Sequence, residues 1–247
     1  MGAANETTRV AIMRRMSKDD SGQNEAATSV IARSITAKAN GPLVVTGSVA
    51  LYRRRAVHSE HGEPLAWQTT ARLDAGERYA LCRCGESARK PFCDGTHAQR
   101  GFAPADTAAG NYAERSNVLG GTGITVRDDR SICMHAGFCG TRVTNVWKQV
   151  GATEESTVRA QVIAMVEKCP SGALTYEIEG IETEPLLPEA IGVVADGPLW
   201  VTGGIPVTTS DGAAIESRNR VTLCRCGQSD NKPLCDGSHR EAGFKDA

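Results

Sequence analysis

Four side chains recur at fixed spacing in two places. Cys82 and Cys84 stand one residue apart, Cys93 follows after eight intervening residues and His97 after three more, and Cys224, Cys226, Cys235 and His239 repeat every interval. Three thiolates and an imidazole form a soft-to-borderline ligand set, suited to zinc or iron and not to hard oxygen-seeking cations. A chance arrangement would not keep all the intervals twice, so the pattern reads as two metal sites. The other cysteines, Cys133, Cys139 and Cys169, make a third group, closed by a Cys-Pro pair. Nine cysteines thus divide into three groups with none left over. An odd total closes poorly into disulfides, and Met1 to Asp20 holds basic residues without the apolar stretch of a secretory signal, so metal ligation is the leading use.

The outer groups belong to an internal repeat. Leu81–Phe102 lies on Leu223–Phe244 without a gap, both reading Leu-Cys-Arg-Cys-Gly, then Lys-Pro-x-Cys-Asp-Gly-(Thr or Ser)-His, then Gly-Phe. Spacing alone leaves structural zinc open. The string Cys-x-Cys-x2-Ser-x3-Pro-x-Cys-Asp-Gly-(Thr or Ser)-His resembles the CDGSH, or NEET, family. Every element is present, as Ser87, Pro91, Asp94, Gly95 and Thr96 in the first copy and Ser229, Pro233, Asp236, Gly237 and Ser238 in the second. The resemblance implies a 2Fe-2S cluster at each motif, two Cys on the inner iron and Cys plus His on the outer, in strands topped by a cluster loop and a helix. In that family two motifs usually face each other across a twofold. Here the expectation is a monomer with an internal pseudo-twofold or a homodimer that pairs like repeats.

Roles follow from residue type. Gly95 and Gly237 permit close approach of backbone to cluster, and Asp94 and Asp236 cap the following helix or hold the loop. Lys90, Lys232, Arg83 and Arg225 either offset the cluster's negative charge or stand as solvated surface cations. A neutral histidine in place of a thiolate raises the reduction potential. Protons compete for the same imidazole, so such a centre should be lost more readily as pH falls.

The third group, Cys133-Met-His-Ala-Gly-Phe-Cys139 with Cys169-Pro170 thirty residues on, resembles a divergent single-cluster ferredoxin. A bacterial ferredoxin would run Cys-x2-Cys-x2-Cys, and Ala136 stands at the position of the middle cysteine. Three thiolates hold a 3Fe-4S cluster, or a fourth ligand completes 4Fe-4S, with His135 the nearest candidate and a plain loop histidine the alternative. The expected cofactors are two 2Fe-2S clusters and one 3Fe-4S or 4Fe-4S cluster.

The elements that must position these ligands are short. Gly41-Pro42-Leu43-Val44-Val45-Thr46-Gly47 matches Gly197-Pro198-Leu199-Trp200-Val201-Thr202-Gly203, after which the first copy carries a longer insertion. Asp211-Gly212 reads as a hairpin turn, and Gly62 marks the corresponding bend. In the middle, Ile124 and Val126 alternate as in a strand; Val158, Val162, Met165 and Val166 recur at helical spacing after a Ser156 N-cap; Leu174, Tyr176 and Ile178 alternate again. The expected fold is α+β, mostly small β units: a loose arm over 1–38, a first CDGSH domain over 39–103, a ferredoxin-like domain over 118–182 and a second CDGSH domain over 190–247, with a soft boundary at 103–117. Trp67, Trp147 and Trp200 are expected in cores, and His58 and His61 in a solvated turn.

Composition supports small units that need staples. Aromatics are 4% of residues and Gly numbers 26, which leaves little for a large aromatic core. A net charge of −1 without blocks of like charge speaks against nucleic acid or an anionic membrane surface as partner. No apolar run reaches the roughly 18 residues of a membrane span, so a cytoplasmic protein is expected. No Ser-His-Asp arrangement, phosphate loop or paired acid set suggests an enzyme. The leading functional reading is electron transfer with a redox partner protein. Storage or transfer of clusters to an apo iron-sulfur acceptor, or redox sensing, is the alternative, and a zinc-stapled interaction module is the third.

Overall fold

The computed structural model describes residues 31–108 and 110–246. Its first repeat supplies strands β1 (Ser34–Ala37), β2 (Leu43–Thr46), β3 (Ala50–His58), β4 (Pro64–Leu73) and β5 (Arg78–Leu81), then the one-turn helix α1 (Thr96–Gln99). A short helix α2 (Tyr112–Arg115) leads into β6 (Asn117–Gly121), β7 (Ile124–Asp128), α3 (Val146–Gln149), α4 (Ser156–Glu167), β8 (Leu174–Ile178) and β9 (Ile181–Thr183). The second repeat supplies β10 (Ala190–Val194), β11 (Leu199–Thr202), β12 (Val207–Thr208) and β13 (Arg220–Leu223). The fold is α+β, built of small sheets.

The two repeats exchange strands. One sheet runs β12-β1-β2-β5 and the other β13-β11-β10-β3-β4, so each contains one or more strands of the opposite copy. The crossing pairs are parallel: Ile35 faces Val207 in one sheet and Ile191 faces Leu51 in the other. The repeat carries Ile35 onto Ile191 and Leu51 onto Val207, so one pairing is made twice and the copies are related by a pseudo-twofold inside the chain. Alternation explains the short strands: Ile35, Ala37, Leu43 and Val45 point inward and are at most 1% exposed. They share one core with Leu51, Leu81, Ile191, Leu199, Val201 and Leu223.

This exchange joins the two outer segments, expected as separate units, through shared sheets. Of the arm expected over 1–38, residues 34–37 form β1, bonded to both β2 and β12, and residues 1–30 lie outside the described residues. The segments 39–103 and 190–247 do not close separate sheets. The soft boundary at 103–117 is a bound strap: the Thr107 and Ala108 N–H groups donate to the Lys232 carbonyl at 2.7 and 3.0 Å. Within it Tyr112 is buried, its hydroxyl donating to Arg127 and Ala173 carbonyls at 3.1 Å.

The longer insertion of the first copy is the β3–β4 hairpin, turned at Gly62 with φ 82°. The second copy makes a tight turn instead, Thr209 donating to Ala213, with Gly212 at φ 89°. The hairpin reaches the middle unit. Trp67 Nε1 donates to the Lys168 carbonyl at 3.0 Å, its ring lies 5.0 Å from Phe138, and Glu63 accepts from the Arg142 N–H.

That unit is an antiparallel sheet in the order β6-β7-β8-β9. Val126 and Tyr176 pack on Val146 of α3 and on Val162 and Val166 of α4. Ser156 is the first residue of α4, not its cap; Glu155 takes the extended cap geometry one residue earlier and makes no side-chain cap bond. Trp200 is core at 5% exposure, whereas Trp67 and Trp147 are only half-buried. His58 and His61 are exposed at the hairpin tip. Among the described residues no helix is long and apolar enough to cross a membrane.

Candidate metal centres

Each outer ligand set is held by the same local frame. β5 ends at Leu81, so Cys82 emerges from a strand, and its N–H donates to the Pro91 carbonyl at 2.8 Å while Cys93 N–H donates to Ala80 at 2.9 Å. Cys224 likewise follows the end of β13, and the Cys224 and Cys235 N–H groups make the matching bonds to the Pro233 and Thr222 carbonyls, both 2.9 Å. Ser87 Oγ donates to the Phe92 carbonyl at 2.7 Å and accepts from Arg89 N–H at 3.0 Å; Ser229 does the same with Leu234 and Asn231 at 2.7 and 3.1 Å.

The loop-holding role of the aspartates is realised and the helix-capping role is not: the N-cap of α1 is Gly95, which makes no side-chain cap bond, and no helix follows Asp236 among the described residues. Asp94 accepts from Thr96 N–H at 3.0 Å at the start of α1 and from Ala88 N–H at 2.8 Å across the loop. Asp236 accepts from Ser238 N–H at 3.0 Å and Asp230 N–H at 2.8 Å. Backbone donation from Thr96, helped by Ala88, holds the Asp94 carboxyl far below the usual carboxylate range. For Asp236 burial pulls upward, and the bonds from Ser238 and Asp230 outweigh it, leaving the carboxyl low. Gly95 and Gly237 sit at φ 90° and 97°, a conformation that side chains with a Cβ rarely adopt.

The ligand atoms stand in pairs. Cys82 and Cys84 Sγ are 3.7 Å apart, and so are Cys224 and Cys226 Sγ. Cys93 Sγ lies 3.3 Å from His97 Nδ1, and Cys235 Sγ 3.4 Å from His239 Nδ1, which makes Nδ1 the nitrogen offered to metal. Two thiolates bound at about 2.3 Å to one tetrahedral centre would lie roughly 3.8 Å apart, so each pair fits one metal ion. Among the described residues no three His, Cys, Asp or Glu side chains converge on a single ion-sized point. Each set presents its four ligand atoms as two close pairs, the form a two-metal centre needs.

Burial raises several of the unmetallated thiols, pushing Cys84 up to about 11 and lifting Cys93, Cys133, Cys139 and Cys235 as well. Between Cys224 and Cys226 the mutual hydrogen bond lowers the first and raises the second. A bound metal must displace the thiol protons, which couples loading to pH. Burial, reinforced by Arg240 and Arg225, pulls His239 down to about 4, favouring the neutral ligating form.

The arginines between paired cysteines are not solvated, nor are they free charges. Arg83 and Arg225 are each 1% exposed. Arg83 donates to the Gly41 and Lys38 carbonyls at 3.0 and 2.7 Å and pairs with Asp106 at 2.6 Å; Arg225 donates to Gly197 and Val194 and pairs with Asp246. Phe102 and Phe244, the repeated Gly-Phe residues, lie 5.6 and 5.0 Å from these guanidinium carbons. The Asp partners escaped sequence reading because Asp106 and Asp246 fall at different distances from their motifs. Lys232 is buried and donates to the Ser229 carbonyl, while Lys90 is half-exposed, 6.0 Å from the Phe244 ring.

Two glycines missed in the sequence lie where the copies meet. A Cβ on Gly85 would collide with the Cys226 carbonyl, and a Cβ on Gly227 with the Cys84 carbonyl. The two Cys-x-Cys-Gly segments therefore abut at the pseudo-twofold. The repeated glycine after the second cysteine was the available signal.

The middle group converges on a cavity of about 150 Å³ lined by Cys133, Cys139 and Cys169 together with Met134, Ala136 and Phe138. Cys133 follows a 3-10 turn over Arg130–Ile132, and Cys169 lies just beyond α4, its N–H donating to Val166 at 3.0 Å. Ala136 faces this space, so no thiol stands at that position. His135 adopts φ 59° and donates its backbone N–H to Cys133 Sγ at 3.4 Å. Its ring lies on Gly237 of the second CDGSH loop, where an added Cβ would strike Cδ2.

Comparison with known families supports this division. A family model described as iron-binding zinc finger, CDGSH type, matches residues 40–98 and 196–240. One described as a divergent 4Fe-4S mono-cluster matches residues 119–179. No curated protein matches the chain.

Proposed function

We propose that this chain, in which two CDGSH-type regions flank a divergent 4Fe-4S mono-cluster region, is an iron-sulfur protein and a non-enzymatic electron carrier with two 2Fe-2S centres and one 3Fe-4S or 4Fe-4S centre. The pairing of ligands carries the reading. Cys82 with Cys84 and Cys93 with His97 would each hold one iron, as would Cys224 with Cys226 and Cys235 with His239. A lone tetrahedral zinc would instead draw all four side chains to one point. Cys133, Cys139 and Cys169 would hold the middle cluster. When bound, the clusters supply one-electron couples. The protein's part is to hold the ligands, and Asp94, Asp236, Ser87 and Ser229 do so by fixing the loops through backbone bonds. Nδ1 of His97 and His239 is the position at which proton and metal compete.

Iron, sulfide and zinc analysis of freshly purified protein, with its visible spectrum, tests the assignment. Iron with labile sulfide and a visible absorption band is expected; a colourless protein with stoichiometric zinc would overturn it. Anaerobic electron paramagnetic resonance distinguishes the middle cluster types, since oxidised 3Fe-4S is paramagnetic and oxidised low-potential 4Fe-4S is silent. Cluster transfer to an apo acceptor is the second reading, favoured by the accessible side of the first motif, where Asp94 and Gly95 are exposed and Cys93 and His97 half-exposed. Rates of reduction by a flavoprotein, set against rates of cluster transfer to an apo-ferredoxin, rank the two.

A further inference from the structure

The three ligand sets follow one another along the chain as first CDGSH, middle, second CDGSH, but their contacts run in another order. The first and second sets meet back to back, through Gly85 against Cys226 and Gly227 against Cys84. The second set also meets the middle one. Beyond the His135 ring on Gly237, the Cys133 carbonyl would lie 3.1 Å from a Cβ at that glycine, Arg240 donates to the His135 carbonyl at 3.1 Å, and Asn231 donates to the Ser131 carbonyl at 3.1 Å. Arg240 itself lines the middle cavity.

Exposure separates the two motifs accordingly. Cys235 and His239 are 2% and 6% exposed. Their counterparts Cys93 and His97 are half-exposed, and a Cβ on Gly95 would meet nothing within 4 Å. Two copies of one motif thus stand in different surroundings: one faces outward, the other is covered by the middle unit.

We infer that the second CDGSH ligand set is the relay between an outward-facing first set and the middle set, joined to the middle set through the His135–Gly237 contact. The inference rests on the electron-carrier reading and adds a direction to it. A one-electron donor, such as a reduced flavoprotein, would meet the first motif. One electron then passes per step, leaving each giver oxidised by one and each receiver reduced by one, with no bond made or broken in the protein.

The full chain tests this with paired variants. Cys235→Ala with His239→Ala empties the second set, and Cys93→Ala with His97→Ala empties the first; retention of the other two clusters by iron and sulfide analysis establishes folding in each. The first readout is magnetic. With the centres brought to their paramagnetic states, splitting of the middle signal by a neighbouring spin should vanish when the second set is emptied and persist when the first is emptied. The reverse pattern overturns the relay order, as does splitting unaffected by either change. The second readout is the rate at which the middle centre is reduced by a flavoprotein, expected to fall at least tenfold in both variants. His135→Ala, with all clusters retained, should slow that rate several-fold, and an unchanged rate would remove His135 from the path. Magnetic coupling reports position alone, so a protein that showed the expected splitting but accepted no electrons would sink the carrier reading and leave the spatial order standing.

Discussion

At the scale of single residues, chemistry that looks identical in the two motifs is tuned by what covers each. Burial holds His239 down to about 4, with Arg240 and Arg225 adding to it. A histidine whose pKa is depressed by folding resists protonation, so between its ordinary value near 6.5 and about 4 it stays available to metal while an exposed imidazole does not. His97 is half-exposed, so solvent reaches the imidazole of the first motif. Acid titration followed by visible absorbance should therefore release cluster in two phases, the first motif at the higher pH, and His97→Cys should shift only that phase to lower pH. Simultaneous release of both would contradict the difference in burial. Lys232 is the other asymmetric group: buried, without a carboxylate partner among the described residues, and close enough to Cys224 to lower it. Since a nearby cation favours the reduced, more negative centre, Lys232→Met should lower the second centre's potential by tens of millivolts, with about 59 mV corresponding to a tenfold change for one electron. Lys90→Met at the half-exposed equivalent should move the first centre less, and spectroelectrochemical titration of the two variants compares them.

Elements explain why the sites stand where they do, and here the sequence was legible only in part. The ligand intervals, the Asp94 and Asp236 loop bonds, β7, β8 and the turns at Gly62 and Asp211-Gly212 could all be read, because each depends on residues near one another in the chain. Partner choice could not. A four-residue strand such as Ser34–Ala37 has too few alternations to declare itself, and nothing in it says that Val207 will lie beside Ile35. The same holds for the β3–β4 insertion, which reads as a surplus hairpin but clamps the middle unit through Trp67 and Glu63. Trp67 packs on Phe138 at 5.0 Å and on Trp200 at 5.2 Å, joining the middle loop to the second sheet. Trp67→Ala removes both ring contacts and the bond to Lys168, for a cost of about 2–3 kcal/mol, below the full core value because the side chain is half-buried. Denaturant unfolding should register that loss, and proteolysis should open 133–145 first. A variant as stable as the parent would show that the hairpin is not a clamp.

On the scale of the whole molecule, strand exchange makes the two repeats one folding unit. Each sheet needs a parallel partner from the other copy, and their inward side chains merge in one core that contains Ile35, Leu51, Ile191 and Leu223. Opening either sheet would expose β3 or β12 edges and the apolar face of the other, so neither has a low-cost way to open alone. The middle unit has its own core around Val126, Val146 and Val162 and is tied on by the hairpin, the α2 strap and the His135 loop. Hydrogen exchange under native conditions should accordingly find the slowest amides of β2 and β11 governed by the same opening free energy, with β7 and β8 opening at a lower one. Ile191→Ala, at a residue 0% exposed, should cost about 2–4 kcal/mol and reduce protection in both outer sheets by the same amount, although it lies in only one of them. Loss confined to β10, β11 and β13 would mean that the repeats fold independently and that the exchange is only a contact. Equal loss in β1, β2 and β5 would establish that disturbance at one CDGSH motif is felt at the other through the shared core, the mechanical counterpart of their back-to-back cysteine loops.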